Sequence, residues 1–122
     1  MNLEDIGMKA NNMLELARET RKKVRQSFGS RVETITVYDV VDVPNHHMFK
    51  LNFAAYDYFW IQFNYENGLC GFSLIFNDQF GTSLGKRLAY SEITDWDSYL
   101  KDIMEEIELR IPDKFLKAKG WL

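Results

Sequence analysis

The chain is poor in the residues that mark several common protein classes. It has one cysteine and two histidines in 122 residues. A single cysteine excludes an internal disulfide framework and any multi-cysteine metal cluster. Proline occurs twice and glycine seven times, beside 46% hydrophobic and 27% charged residues. That balance argues against disorder. There is no internal repeat, low-complexity tract or linker. No apolar run reaches the ~18 residues a membrane span needs. The opening residues, with Glu4 and Asp5 among them, carry no apolar stretch of the kind found in signal peptides. The formal charge of −3 argues against a general nucleic-acid binder. A lone thiol and no leader together predict a cytoplasmic protein without membrane contact.

What is abundant is aromatic: nine Phe, six Tyr and three Trp make up 15% of the chain. The length fits one domain of roughly 100–150 residues, so residues 1–122 are expected to form a single domain with a real core.

The period of the apolar residues changes along the chain. Leu3, Ile6, Ala10, Met13, Leu14, Ala17, Val24 and Phe28 share one stripe of a helix over about 2–27. Asn2 with Asp5 resembles a capping box, Gly7 is a weak point that allows a later start near residue 11 or 12, and Gly29 is placed to end the helix. From Arg31 the period is two. Strands are expected at 31–41, 48–55, 59–65 and 69–76, with Asp42 to His47 as a loop around Pro44.

Register follows from turn chemistry. Asn67-Gly68 suits a two-residue type I′ turn, which pairs Tyr65 with Cys70, Phe63 with Phe72, Ile61 with Leu74 and Phe59 with Phe76. A three-residue loop at Tyr56-Asp57-Tyr58 pairs Ala55 with Phe59, Phe53 with Ile61, Leu51 with Phe63 and Phe49 with Tyr65. Both choices keep one sheet face apolar, and a one-residue slip would destroy it. Residues 77–94 read mostly as loop, with room for a short fifth strand near 86–90.

Thr94 with Asp97 signals a second helix to about Arg110, with Trp96, Tyr99, Leu100, Ile103, Met104, Ile107 and Ile111 on its buried stripe. Pro112 stops that helix and opens a short last one as its first residue, with Gly120 closing it. The expected fold is α+β: an N-terminal helix, a four- to five-stranded antiparallel meander, and C-terminal helices packed on one sheet face as a two-layer sandwich.

No catalytic constellation stands out, so the chain is read as a non-enzyme without cofactor or metal. His46-His47 lacks the converging ligands of a metal site. Cys70 falls on the apolar face, away from any activating base. Gly81 to Arg87 resembles a phosphate loop, but Gly81 and Gly85 have the wrong spacing and Arg87 stands where Ser or Thr belongs.

Charge is more informative. Glu92 to Glu108 holds seven acids and one Lys, a local charge of −6. On the helical wheel Asp95, Asp102 and Glu106 form a row, with Glu105 beside it and Tyr99 at its edge. Such a row is either a solvated face or a surface for a basic partner, because like charges one turn apart repel. Arg18, Lys22 and Arg25 share one side of the first helix, either solvated or paired with the acidic helix. On the polar sheet face Trp60 and Ile75 are neighbours. They are an interface anchor unless residues 77–90 cover them.

The crowded acids of Glu92 to Glu108, the aromatic stretch Tyr56-Asp57-Tyr58-Phe59-Trp60 and the helix–meander–helix order resemble the immunity proteins of bacterial contact-dependent and polymorphic toxin systems. That resemblance implies a tight complex with a cognate protein toxin, often a nuclease, in which the acids meet a basic surface and Trp60, Ile75 or Tyr99 supplies an apolar anchor. It implies no direct contact with nucleic acid and leaves monomer and homodimer open. Two other readings stand beside it. A type III secretion chaperone would be a dimer, usually with a helix between strands. A small hydrolase or ligand-binding domain would need a cavity of several hundred Å3 lined by His46, His47 or several acids.

Overall fold

The computed structural model describes the backbone of residues 3–122 and the side chains from residue 12 onward. The order is α1 (Leu3–Phe28), a short 3-10 turn, β1 (Val32–Val43), β2 (His46–Ala55), β3 (Phe59–Glu66), β4 (Leu69–Ile75), β5 (Gly81–Ala89), a second 3-10 turn, α2 (Trp96–Glu108) and α3 (Asp113–Ala118). The five strands form one antiparallel sheet in the order β1-β2-β3-β4-β5. This is the α+β architecture expected from the periodicity.

The register expected for β2–β3 is found pair for pair, from Phe49 with Tyr65 to Ala55 with Phe59. The β3–β4 register is likewise as expected from Glu66 with Leu69 to Trp60 with Ile75, where the ladder stops before Phe59 and Phe76. The turn chemistry explains both. Asn67 and Gly68 have φ of 48° and 91°, as a type I′ turn requires. Tyr56 and Asp57 also have positive φ, 59° and 51°, in the three-residue loop.

Five boundaries differ from expectation. The region 42–47 is not a loop: only Pro44 and Asn45 turn, and His46 and His47 begin β2. One side-chain contact crosses this hairpin and another joins it to β3. His47 Nδ1 lies 2.8 Å from Asp42 Oδ1, and His46 Nε2 lies 2.7 Å from Glu66 Oε2. The fifth strand is full length, Gly81–Ala89, so the phosphate-loop likeness at Gly81 to Arg87 is part of an edge strand. A tight turn precedes it, in which Asn77 Oδ1 accepts from the Gln79 and Phe80 amides at 2.8 and 3.0 Å. Helix α2 is capped by Asp95, which accepts from the Ser98 amide, rather than by Thr94. The helix ends at Glu108 rather than near Arg110. Pro112 is the N-cap of α3, not its first residue.

The core lies between the sheet and the helices. Phe49, Leu51, Phe53, Ile61, Phe63, Phe72 and Leu74 from the sheet are buried against Ala17, Val24 and Phe28 of α1 and Leu100, Ile103 and Ile107 of α2. Each of these side chains other than Ala17 contributes roughly 1.5–3 kcal/mol by leaving water. Of the expected α1 stripe, Met13, Ala17, Val24 and Phe28 are buried and Leu14 is half-buried. Leu3, Ile6, Gly7, Ala10 and the Asn2–Asp5 cap lie outside the described side chains. Thr20 joins the stripe as a buried polar residue, with its hydroxyl on Leu16 O at 2.7 Å and on Tyr90 Oη at 2.8 Å. Trp121 packs back, edge-on to Tyr56, with its indole N–H donating to Ser30 Oγ, while Leu122 stays exposed.

Candidate interaction surfaces

The sheet has a covered face and an open one. Trp60 and Ile75 sit side by side on the open face. Residues 77–90 do not cover Trp60, which is 54% exposed, and Phe80 beyond it is 66% exposed. Beside them the face is polar at Tyr38, Gln62 and Asn64, with Met48 and exposed Leu69 toward its far end. Gln62 Nε2 donates to Tyr38 Oη, and Asn64 Nδ2 donates to Gln62 Oε1 at 3.0 Å.

The acidic helix lies on the opposite side of the sheet, so the structure does not bring its carboxylates together with Trp60 and Ile75. The acids themselves divide into two groups. Four are engaged within the fold. Glu92 accepts from the Ala89 amide at 3.3 Å, Asp95 from the Ser98 amide at 3.1 Å, Asp97 from Ser27 Oγ at 3.4 Å and Glu108 from Tyr56 Oη at 2.7 Å. The side chains of Asp102, Glu105 and Glu106 have no hydrogen-bond or ion-pair partner among the described residues. Asp95 therefore serves as a helix cap, and the free row is Asp102, Glu105 and Glu106.

Tyr99 does not project as an anchor. Its ring packs on Phe72 and Trp96, at 5.9 and 5.6 Å between centroids, and its hydroxyl is buried without a partner. Burial, with the Cys70 and Glu106 charges nearby, holds that hydroxyl well above the usual tyrosine range. Leu109 takes the place sequence reasoning assigned to Tyr99. It is 84% exposed and follows Asp102 by seven residues and Glu105 by four, which aligns all three on one side of the helical path. The signal was present in the sequence: Leu109 is the leucine that falls off the buried stripe.

Arg18, Lys22 and Arg25 of α1 are exposed and form no ion pair with α2 among the described residues. Arg25 instead donates to Glu33 O at 3.0 Å, and the Lys23 ammonium lies over the Trp96 ring at 5.8 Å.

The other candidates are structural. Burial pushes the Cys70 thiol up to about 11, which keeps it protonated and unreactive. His46 and His47 are each paired with a carboxylate, and no group of three or more His, Cys, Asp or Glu is placed to hold a metal among the described residues. A cavity of about 500 Å3 opens on the polar sheet face near Gly71, bounded by Lys50, Lys86 and Arg87 with Glu66. Neither histidine lines it. No described helix is long and apolar enough to cross a membrane. No family model matches the chain, and no curated protein or solved structure matches it significantly.

Proposed function

We propose that this chain is a non-enzymatic protein-binding module, an immunity protein that neutralises a cognate bacterial toxin in the cytoplasm. The contact face is the side of α2 that carries exposed Asp102 and Glu105, with half-buried Glu106 at its edge beside Gly85 of β5. The observation that carries this reading is the free row of Asp102, Glu105 and Glu106 ending in exposed Leu109. The other four acids between Glu92 and Glu108 are engaged in caps and hydrogen bonds. These three repel one another at a cost of a few tenths of a kcal/mol per close pair, with no partner among the described residues. A basic cleft, such as a nuclease uses for phosphates, would accept the row, speed association by long-range attraction, and receive Leu109 as the apolar contact. The unbroken run of strands from Val32 to Ala89 lacks the helix between strands expected of a secretion chaperone.

The test is to sequence the genes beside this one for the toxin domain this reading requires, whose absence would overturn it, and to co-express that domain with the chain. The wild-type chain restores growth and binds the domain. Replacing Asp102, Glu105 and Glu106 by Lys should slow association about tenfold or more and abolish protection, with a steep loss of wild-type rate as salt rises. Trp60→Ser, on the opposite side of the sheet, should leave binding unchanged. If the triple reversal binds at the wild-type rate, the acidic row is not the contact. If Trp60→Ser alone abolishes binding, the contact is the open sheet face.

A further inference from the structure

The cavity on the open sheet face is built by two devices that meet at one point. The first is the β4–β5 register, in which Cys70 pairs with Leu88 and Phe72 with Leu84. Gly71 alone therefore faces Gly85, Lys86 and Arg87, a bulge in β5. The second device is Gly71, which leaves the floor of the hollow without a side chain.

The two glycines differ in what they require. Gly85 has a φ of +69°, and a Cβ there would stand 3.3 Å from Ile103 Cδ1 and 3.4 Å from Glu106 Oε2 beneath α2. Backbone and packing both call for glycine at that position. Gly71 has no positive φ, and a Cβ would meet nothing closer than the Arg87 Cα at 3.7 Å, an ordinary contact. Neither backbone nor neighbours demand glycine at 71, and glycine weakens a strand interior. What it does provide is depth. Bulges and strand glycines together are common where a sheet re-aims side chains toward a ligand.

The walls define the ligand. Three cations, Lys50, Lys86 and Arg87, surround the hollow against one carboxylate, Glu66. Glu66 is turned toward His46 at 2.7 Å, and Lys50 is 3.4 Å from Asp39. Lys86 and Arg87 are exposed and have no carboxylate partner among the described residues. Asn64, Ser73 and Ser83 add hydrogen-bonding groups from three adjacent strands. We infer that this hollow is a binding site for a small ligand bearing an oxyanion, a phosphate or a carboxylate, held by Lys86 and Arg87 over the floor at Gly71. The site is distinct from the acidic face of α2 and does not depend on the toxin-binding reading.

Titration of the isotope-labelled full chain with inorganic phosphate, and separately with succinate, followed by amide NMR, tests the inference. Saturable shifts confined to Gly71, Ser73, Ser83, Lys86 and Arg87 are expected with at least one probe. Saturation by phosphate alone assigns a phosphate-bearing ligand, and saturation by succinate alone assigns a carboxylate. Lys86→Gln with Arg87→Gln, both exposed, should weaken binding by about tenfold or more. Gly71→Val should block the floor without changing a charge. The cationic side of α1 is the internal control, because an ion drawn by charge alone visits Arg18, Lys22 and Arg25 equally. Shifts that never saturate with either probe, that spread equally over α1, or that persist in the Lys86/Arg87 variant overturn the site.

Discussion

Tyr56 shows how one residue joins elements distant in sequence. It sits in a loop with positive φ, yet it is wholly buried. Its amide donates to Arg31 O at 2.7 Å and its hydroxyl to Glu108 Oε2 at 2.7 Å, and Trp121 packs edge-on against its ring. A loop aromatic thus ties the β2–β3 turn to the 3-10 turn after α1, to the end of α2 and to the C-terminal Trp121. Burial and the Glu108 carboxylate hold its hydroxyl well above the usual tyrosine range. Tyr56→Phe removes a hydrogen bond to a charged acceptor and leaves Glu108, which is half-buried, to water. The expected loss is about 1–2 kcal/mol in urea unfolding at neutral pH. A variant as stable as the wild type would mean that the hydroxyl is not a tie. Nothing in the local sequence separates buried Tyr56 from exposed Tyr58, because the difference lies in what α2 and α3 place over each ring.

At the scale of elements, the meander was legible because turn chemistry and a period of two point to the same register. The β3–β4 turn is the sharpest case. Gly68 has a φ of 91° with nothing within 4 Å of a Cβ placed there. The cost of Gly68→Ala is therefore conformational, about 1 kcal/mol, and equilibrium unfolding should show it with no change in the native spectrum. No measurable loss would mean that the hairpin does not depend on its I′ geometry. The fifth strand was not legible to the same degree. Its Gly, Thr, Ser, Lys and Arg lack the alternation that marked the other strands, because it is an edge strand interrupted by a bulge. The other edge is interrupted too. β1 carries two register shifts and Asp39 at a φ of 52°. Irregular, charged edges oppose pairing with another sheet.

For the molecule as a whole, buried acids of weak strength make alkaline pH the sensitive side. Burial raises Cys70 from 9.0 to about 11 and also raises Tyr56, Tyr65, Tyr90 and Tyr99. Below about pH 9 these groups are protonated in both folded and unfolded chains, so they leave stability at its full value. Above it the unfolded chain releases protons that the folded chain retains, and stability falls through about pH 11. Urea midpoints should hold near pH 8 and decline from about pH 9 to 11. A flat profile would contradict the burial of these hydroxyls.

Strand order, the β2–β3–β4 register, the amphipathic helices and the identity of most core residues follow from the sequence by itself. Each rests on contacts a few residues apart, or on a period that must match a single buried face. Tertiary structure alone decided which acids are free and that Trp60 is uncovered. It alone placed a hollow at Gly71. Those properties depend on what a distant segment lays over a residue, and no local pattern encodes that.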